Sequence, residues 1–160
     1  MKTKKSWREK LTDSKDLPKV GEITSKMSQR WGSGMLVIPA PVEVDAIMKK
    51  VPWGKLITID VIRQALARKH HTTIACPITT GIFAWIAARA ADEAESEGQK
   101  RVTPYWRTLK SQGELNPKYP GGLQNLRDRL EAEGHAVIQK GKRVLVRDFQ
   151  RSLVKLQELG

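Results

Sequence analysis

Val44, Ile47, Met48 and Val51 fall three and four residues apart, the spacing that lays side chains along one face of a helix. Pro41 suits the first turn of that helix, Glu43 and Asp45 follow where acids favour its dipole, and Pro52-Trp53-Gly54 ends it. Ahead of it, Met35-Leu36-Val37-Ile38-Pro39 is short, apolar and extended. Behind it, residues 55–58 read as an extended link, and Thr58 is placed to cap a second helix. Ile59, Ile62, Leu66 and, less strongly, Ala65 supply the apolar side of that second helix. A polar turn at residues 70–76 leads into a third helix, expected from Pro77 to about residue 97. Ile78, Ile82, Trp85 and Ile86 form its apolar face, and Thr80, Gly81, Ala84, Ala87, Ala88 and Ala91 form a small-residue face opposite. Two helices joined by a short turn, the second with one smooth face, read as a helix-turn-helix or as an ordinary helical hairpin.

Leu123, Leu126 and Leu130 mark a fourth helix that ends at Gly134. Residues 135–147 alternate as a β-hairpin does, with Ala136 and Ile138 facing one way, then Val144 and Val146, around the turn Lys140-Gly141-Lys142. Asp148 is placed to cap a last helix striped by Phe149, Leu153, Leu156 and Leu159. The pattern predicts a mainly helical α+β fold of winged helix-turn-helix type over residues 36–160. Residues 1–35 lack a sustained period and are rich in Lys and Arg, so they read as a flexible or partner-dependent arm. Trp7 and Trp31 within it are candidates for docking onto the body. Residues 101–122 are loop-like yet carry Tyr105, Trp106 and Tyr119, which favours order and function.

Charge narrows the function. The 160 residues carry 29 Lys plus Arg against 17 Asp plus Glu, a net charge of +12. That balance is the electrostatic footprint of a nucleic-acid binder; a solubilising surface or affinity for anionic membranes are the competing explanations. Arg63, Arg68 and Lys69 on the second helix, and Lys140, Lys142 and Arg143 on the hairpin, are the candidate phosphate contacts. No apolar run approaches the length of a membrane span. A single cysteine, Cys76, excludes an internal disulfide and a cysteine-rich zinc site, and His70, His71 and His135 have no metal-ligand spacing with it. No cofactor and no metal are expected, and the expected location is the cytoplasm, with the nucleoid.

Two stretches resemble the DNA-binding domain of O6-alkylguanine-DNA alkyltransferases. Val51-Pro52-Trp53-Gly54-Lys55-Leu56-Ile57-Thr58 is similar to that family's Pro-aromatic-Gly-Lys-Val-x-Ser/Thr opening. Pro104-Tyr105-Trp106-Arg107, then Gly113-Glu114-Leu115, Tyr119-x-Gly121-Gly122-Leu123 and Leu130-x-x-Glu133-Gly134, is similar in order and spacing to its Pro-Cys-His-Arg motif and sequel. The likeness covers residues 41–134. In the family a cysteine thiolate accepts the alkyl group and is activated through the neighbouring histidine, by way of water, to a glutamate. Tyr105 stands at the cysteine position, Trp106 at the histidine position, and Glu133 at the glutamate position, where it has nothing to relay. A phenol carries little nucleophilic anion near neutrality, so alkyl transfer is expected to be absent.

The chain therefore looks like the alkyltransferase-like proteins, in which the cysteine is replaced. The resemblance implies a non-catalytic sensor of O6-alkylguanine in double-stranded DNA, monomeric, that presents the lesion to excision-repair proteins. The alternative is a general DNA-binding winged-helix module without lesion recognition. Tyr119, Gly121 and Gly122 match the loop that walls the alkyl pocket, and Tyr105 and Trp106 either line that pocket or close it by packing. Ile78, with Thr79 adjacent, stands where the family has an intercalating arginine, and is either an apolar wedge or core. Ile59 stands where the family has a tyrosine that rotates the target phosphate. Thr80, Gly81 and Ala84 complete the surface expected to face the groove. Arg107 matches the family arginine as a brace for the loop. Cys76 is a small structural thiol or, far less in keeping with the motifs, a substitute nucleophile.

Overall fold

A computed structural model describes residues 5–159. The order is α1 (Trp7–Thr12), β1 (Lys19–Glu22), α2 (Ser25–Trp31), β2 (Met35–Ile38), α3 (Pro41–Lys49), β3 (Ile57–Thr58), α4 (Ile59–Lys69), β4 (Ile74–Ala75), α5 (Pro77–Ser96), β5 (Thr108–Leu109), α6 (Gly122–Ala132), β6 (Val137–Lys140) and β7 (Arg143–Val146). Short 3-10 turns lie at Tyr105–Arg107, Phe149–Ser152 and Leu156–Leu159. The fold is α+β and mainly helical, with a helix-turn-helix (α4, α5) and a terminal hairpin (β6, β7).

The capping chemistry sets the starts of α3 and α4. Glu43 reaches back to accept from the Ala40 amide, and Thr58 Oγ1 accepts from the Val61 amide. Val44, Met48, Ile62 and Leu66 are fully buried between these helices. Glu43 also accepts from Lys69 at 2.6 Å and lies 2.7 Å from His70 Nε2, which joins the start of α3 to the end of α4. The link between α4 and α5 is more than a turn, because it contains β4. That strand pairs in parallel with β2 (Leu36 with Ile74, Val37 with Ala75), and β2 pairs antiparallel with β1. The polar turn of the helix-turn-helix is thus one member of a three-stranded sheet.

Helix α5 faces the opposite way to the expectation. Thr80, Ala84, Ala87, Ala88 and Ala91 are buried, while Ile78 is 71% exposed and Ile82 46% exposed. The reason is geometric. The distance between packed helices depends on the side chains at the contact, and an alanine face lets α5 come close to α3. Residues large enough to win on hydrophobicity would hold the two helices apart, so they occupy the rim. Phe83, Trp85 and Ile86 lie there half-buried.

Residues 5–35, the greater part of the segment expected to be a flexible or partner-dependent arm, form α1, β1 and α2, and they pack on the body, Trp7 and Trp31 among the docking residues. Ser6 and Thr24 cap the two helices by accepting from the Glu9 and Met27 amides. The Trp7 and Arg8 amides and the Arg8 guanidinium all donate to Glu93 of α5, and Arg8 also pairs with Glu97. The Trp7 ring meets Trp85 edge-on at 4.9 Å between centroids. These elements are too short to hold by local propensity alone, and their partners lie far along the chain.

Two further expectations are corrected. In the hairpin, Val137 rather than Ala136 and Ile138 turns inward, paired with Val146, and the turn is closed between Lys140 and Arg143. The predicted last helix is instead two 3-10 turns split at Leu153, whose neighbour Val154 donates to the Leu56 carbonyl. Asp148 lies in the left-handed region (φ 52°) and makes no side-chain cap.

Ala88→Leu is expected to destabilise the fold by about 1–3 kcal/mol through overpacking, whereas Ile78→Ser changes stability by less than about 0.5 kcal/mol. Urea unfolding of the two variants checks this; the reverse order would mean that α5 is turned the other way.

Candidate nucleic-acid interface

The two stretches that carry the resemblance meet in space. Arg107 Nη1 donates to the Val51 carbonyl at 2.7 Å, and its Nε donates to Glu133 at 2.9 Å. Glu133 also accepts from Trp106 Nε1 at 2.6 Å and from the Gly54 amide at 2.9 Å. The carboxylate is buried and both of its oxygens are engaged by donors. An indole N–H donates only and cannot act as a base, and Glu133 brackets the loop after α3, the turn at Tyr105–Arg107 and the end of α6. Trp53, in the same bracket, is 66% exposed, with Arg107 Cζ 5.9 Å from its ring centre.

Tyr105 is fully buried. Its ring stands edge-on to Trp106 at 5.3 Å and to Tyr119 at 6.3 Å, and its hydroxyl accepts from Asn125 Nδ2 at 3.0 Å. Burial pushes the Tyr105 phenol pKa up, and burial does the same to Tyr119. A phenolate nucleophile is disfavoured further than in free tyrosine. Arg129 lies over the Trp106 ring at 4.5 Å while pairing with Glu95 of α5. Gly121 has φ 78°, and a Cβ there would meet Asn125 at 2.5 Å. Glycine at 121 therefore leaves room for the amide that holds Tyr105. Gly122 also has positive φ. Of the five candidate pocket residues, Tyr105 and Tyr119 are packed shut in this conformation, and Trp106 is half-buried at their edge.

The helix-turn-helix presents a different surface. Ile78 stands exposed in the first turn of α5, Thr79 is half-buried beside it, and nothing lies within 4 Å of where a Gly81 Cβ would sit. Thr80 and Ala84, expected at the groove, are fully buried, and Thr80 Oγ1 donates to the Cys76 carbonyl at 2.6 Å. Their removal from the contact surface follows from the inward alanine face. Cys76 is the half-buried N-cap residue of α5. Arg63, expected to be a free phosphate contact, is mostly occupied. Its Nε donates to the Ala75 carbonyl at 3.1 Å, its guanidinium lies 4.6 Å from the Trp31 ring centre, and its side chain is 14% exposed. Arg68 is exposed at the far end of α4, where Lys69 is tied to Glu43. Lys140, Lys142 and Arg143 are exposed on the hairpin, with Arg143 3.4 Å from Glu114.

Ile82 and Arg30 escape the sequence argument. For Ile82 the helical period holds and the facing does not. Trp53 is the aromatic of the Pro-aromatic-Gly-Lys stretch, which gives it no surface role. Trp31 docks on the body as expected, but nothing in the local pattern of residues 25–31 places it and Arg30 beside α4.

The fold and its surface thus define a mainly helical protein with a helix-turn-helix, a basic hairpin and a buried aromatic cluster. No family model and no curated protein matches the chain. Among solved structures it is similar to that of S. pombe Atl1 in complex with damaged DNA containing O6-carboxymethylguanine, with a TM-score of 0.48 and 20% identity, covering 72% of this chain and 94% of that one.

Glu133→Ala leaves the Arg107 guanidinium buried without its partner and is expected to cost about 3–5 kcal/mol. Denaturant unfolding measures it; a loss under 1 kcal/mol would mean that the bracket does not hold the three segments together.

Proposed function

We propose that this chain is a non-enzymatic binder of double-stranded DNA that engages the duplex through the start of α5. The observation that carries the proposal is the exposed apolar edge of Ile78 and Ile82 on the second helix of a helix-turn-helix, in a chain of net charge +12. An exposed isoleucine at the first turn has the shape of a wedge that parts a base step. The basic hairpin, with Lys140, Lys142 and Arg143, supplies phosphate contacts beside it. Absence of alkyl transfer is supported by the closed Tyr105 site and by the engaged Glu133.

The finer form of this reading, taken from the sequence resemblance, is recognition of O6-alkylguanine and its presentation to excision-repair proteins in the cytoplasm. A base flipped into the Tyr105–Tyr119 cluster must first displace one of two buried rings. That packing favours the second reading, a general DNA-binding module without lesion preference.

Competition binding with matched duplexes, with and without one O6-alkylguanine, separates the two. Lesion sensing gives preferential capture of the damaged duplex, and the general module gives equal affinities. In both cases the log of the affinity falls steeply with the log of salt concentration, because bound phosphates release counterions. A flat salt response sinks DNA binding altogether. Transfer of a labelled alkyl group from the lesion to the protein sinks the non-enzymatic assignment.

A further inference from the structure

Helix α2 lies outside residues 41–134, which carry the sequence resemblance, yet it is built onto the helix-turn-helix. Strand β1, which leads into it, is hydrogen-bonded to β2, and β2 to the β4 strand that immediately precedes α5. At its other end, Trp31 lies over the Arg63 guanidinium, whose Nε is bonded to the Ala75 carbonyl two residues before α5 begins. Arg30 Cζ lies 5.2 Å from the centre of the same indole. Two arginines are therefore gathered on one tryptophan at the approach to the recognition helix.

Burial disfavours the charged form of Arg63 and Arg30 adds to that, while the Asp60 carboxylate, 3.8 Å away, favours it. No acid occurs in Ser25–Trp31. Lys26 and Arg30 are exposed, four residues apart on one face of α2, and neither forms an ion pair among the described residues. A cleft of about 340 Å³, lined by Trp31, Asp60, Arg63, Gln64 and Thr73 among others, opens at the end of α2. Lys26 and Arg30, which have no acid partner among the described residues, are relieved when an anion bridges them.

We infer that α2 is a second DNA-contacting element, in which Lys26 and Arg30 bind backbone phosphates flanking the site of α5 while the Trp31–Arg63 contact fixes α2 beside the start of that helix. The inference rests on the DNA-binding reading above and extends the footprint to the N-terminal segment. The base-proximal contact then belongs to α5, and the flanking phosphates to α2.

The test is a salt series of duplex binding by fluorescence anisotropy on the full chain, comparing wild type, Arg30→Ala, its charge-matched control Arg127→Ala on α6, the double variant Lys26→Ala/Arg30→Ala, and its charge-matched control Arg127→Ala/Lys155→Ala. Each lost phosphate contact is expected to lower the slope of log affinity against log salt by about 0.9. The double variant should bind at least several-fold more weakly at low salt, with both controls within twofold of wild type. Both α2 positions are exposed, so thermal melting should remain unchanged and loss of folding is separable from loss of contact. Wild-type slope in the double variant overturns the inference and leaves the DNA-binding reading intact. An equal loss in the charge-matched controls also overturns it, since net charge alone would explain the effect. No binding by wild type removes both.

Discussion

The alanine face of α5 governs what the rest of the molecule can present. By packing Ala84, Ala87, Ala88 and Ala91 inward, the helix approaches α3 closely and turns Ile78 and Ile82 out to solvent. The same choice places Trp85 and Glu93 at the rim, where Trp7 and Arg8 dock. Small residues thus do two jobs at once: they close the core, and they decide which side chains are left for a partner.

A second constraint sits at the opposite end of the domain. One buried carboxylate, Glu133, gathers donors from the loop after α3 and, through Trp106 and Arg107, from the 3-10 turn that follows α5. Its burial is tolerable because both of its oxygens accept from these donors. The carboxylate thereby holds backbone from separate parts of the chain in place. Tyr105 follows the same logic, with its hydroxyl satisfied by Asn125 and its ring enclosed by two other aromatics.

Much of this was legible in the residues. The starts of α3, α4 and α5 follow from Pro41, Thr58 and Pro77, because caps and first-turn prolines act locally. The bracing role of Arg107 follows from the resemblance, whereas its joint with residues 51–54 is visible only in the structure. The facing of α5 was not legible, since a hydrophobicity pattern ranks isoleucine above alanine for burial and is blind to how closely a neighbouring helix can approach. Residues 5–35 were illegible for another reason. A six-residue helix, a four-residue strand and a seven-residue helix carry too little period to register, and what holds them is a ladder to β2 and ion pairs to α5. The hairpin was found, with Val146 inward on its second strand, but on the first strand the inward residue is Val137 rather than Ala136 and Ile138, and a one-residue offset in a strand exchanges the two faces.

The parallel pairing of β4 with β2 has a consequence for how the molecule can be divided. A chain beginning at residue 36 would keep the helix-turn-helix and lose β1, and β2 would then show an unpaired edge along Leu36, Val37 and Ile38. Open apolar edges are templates for pairing with other chains. The basic N-terminal segment is therefore also a guard: whatever else it touches, it keeps the strand beside α5 from recruiting a second copy of itself.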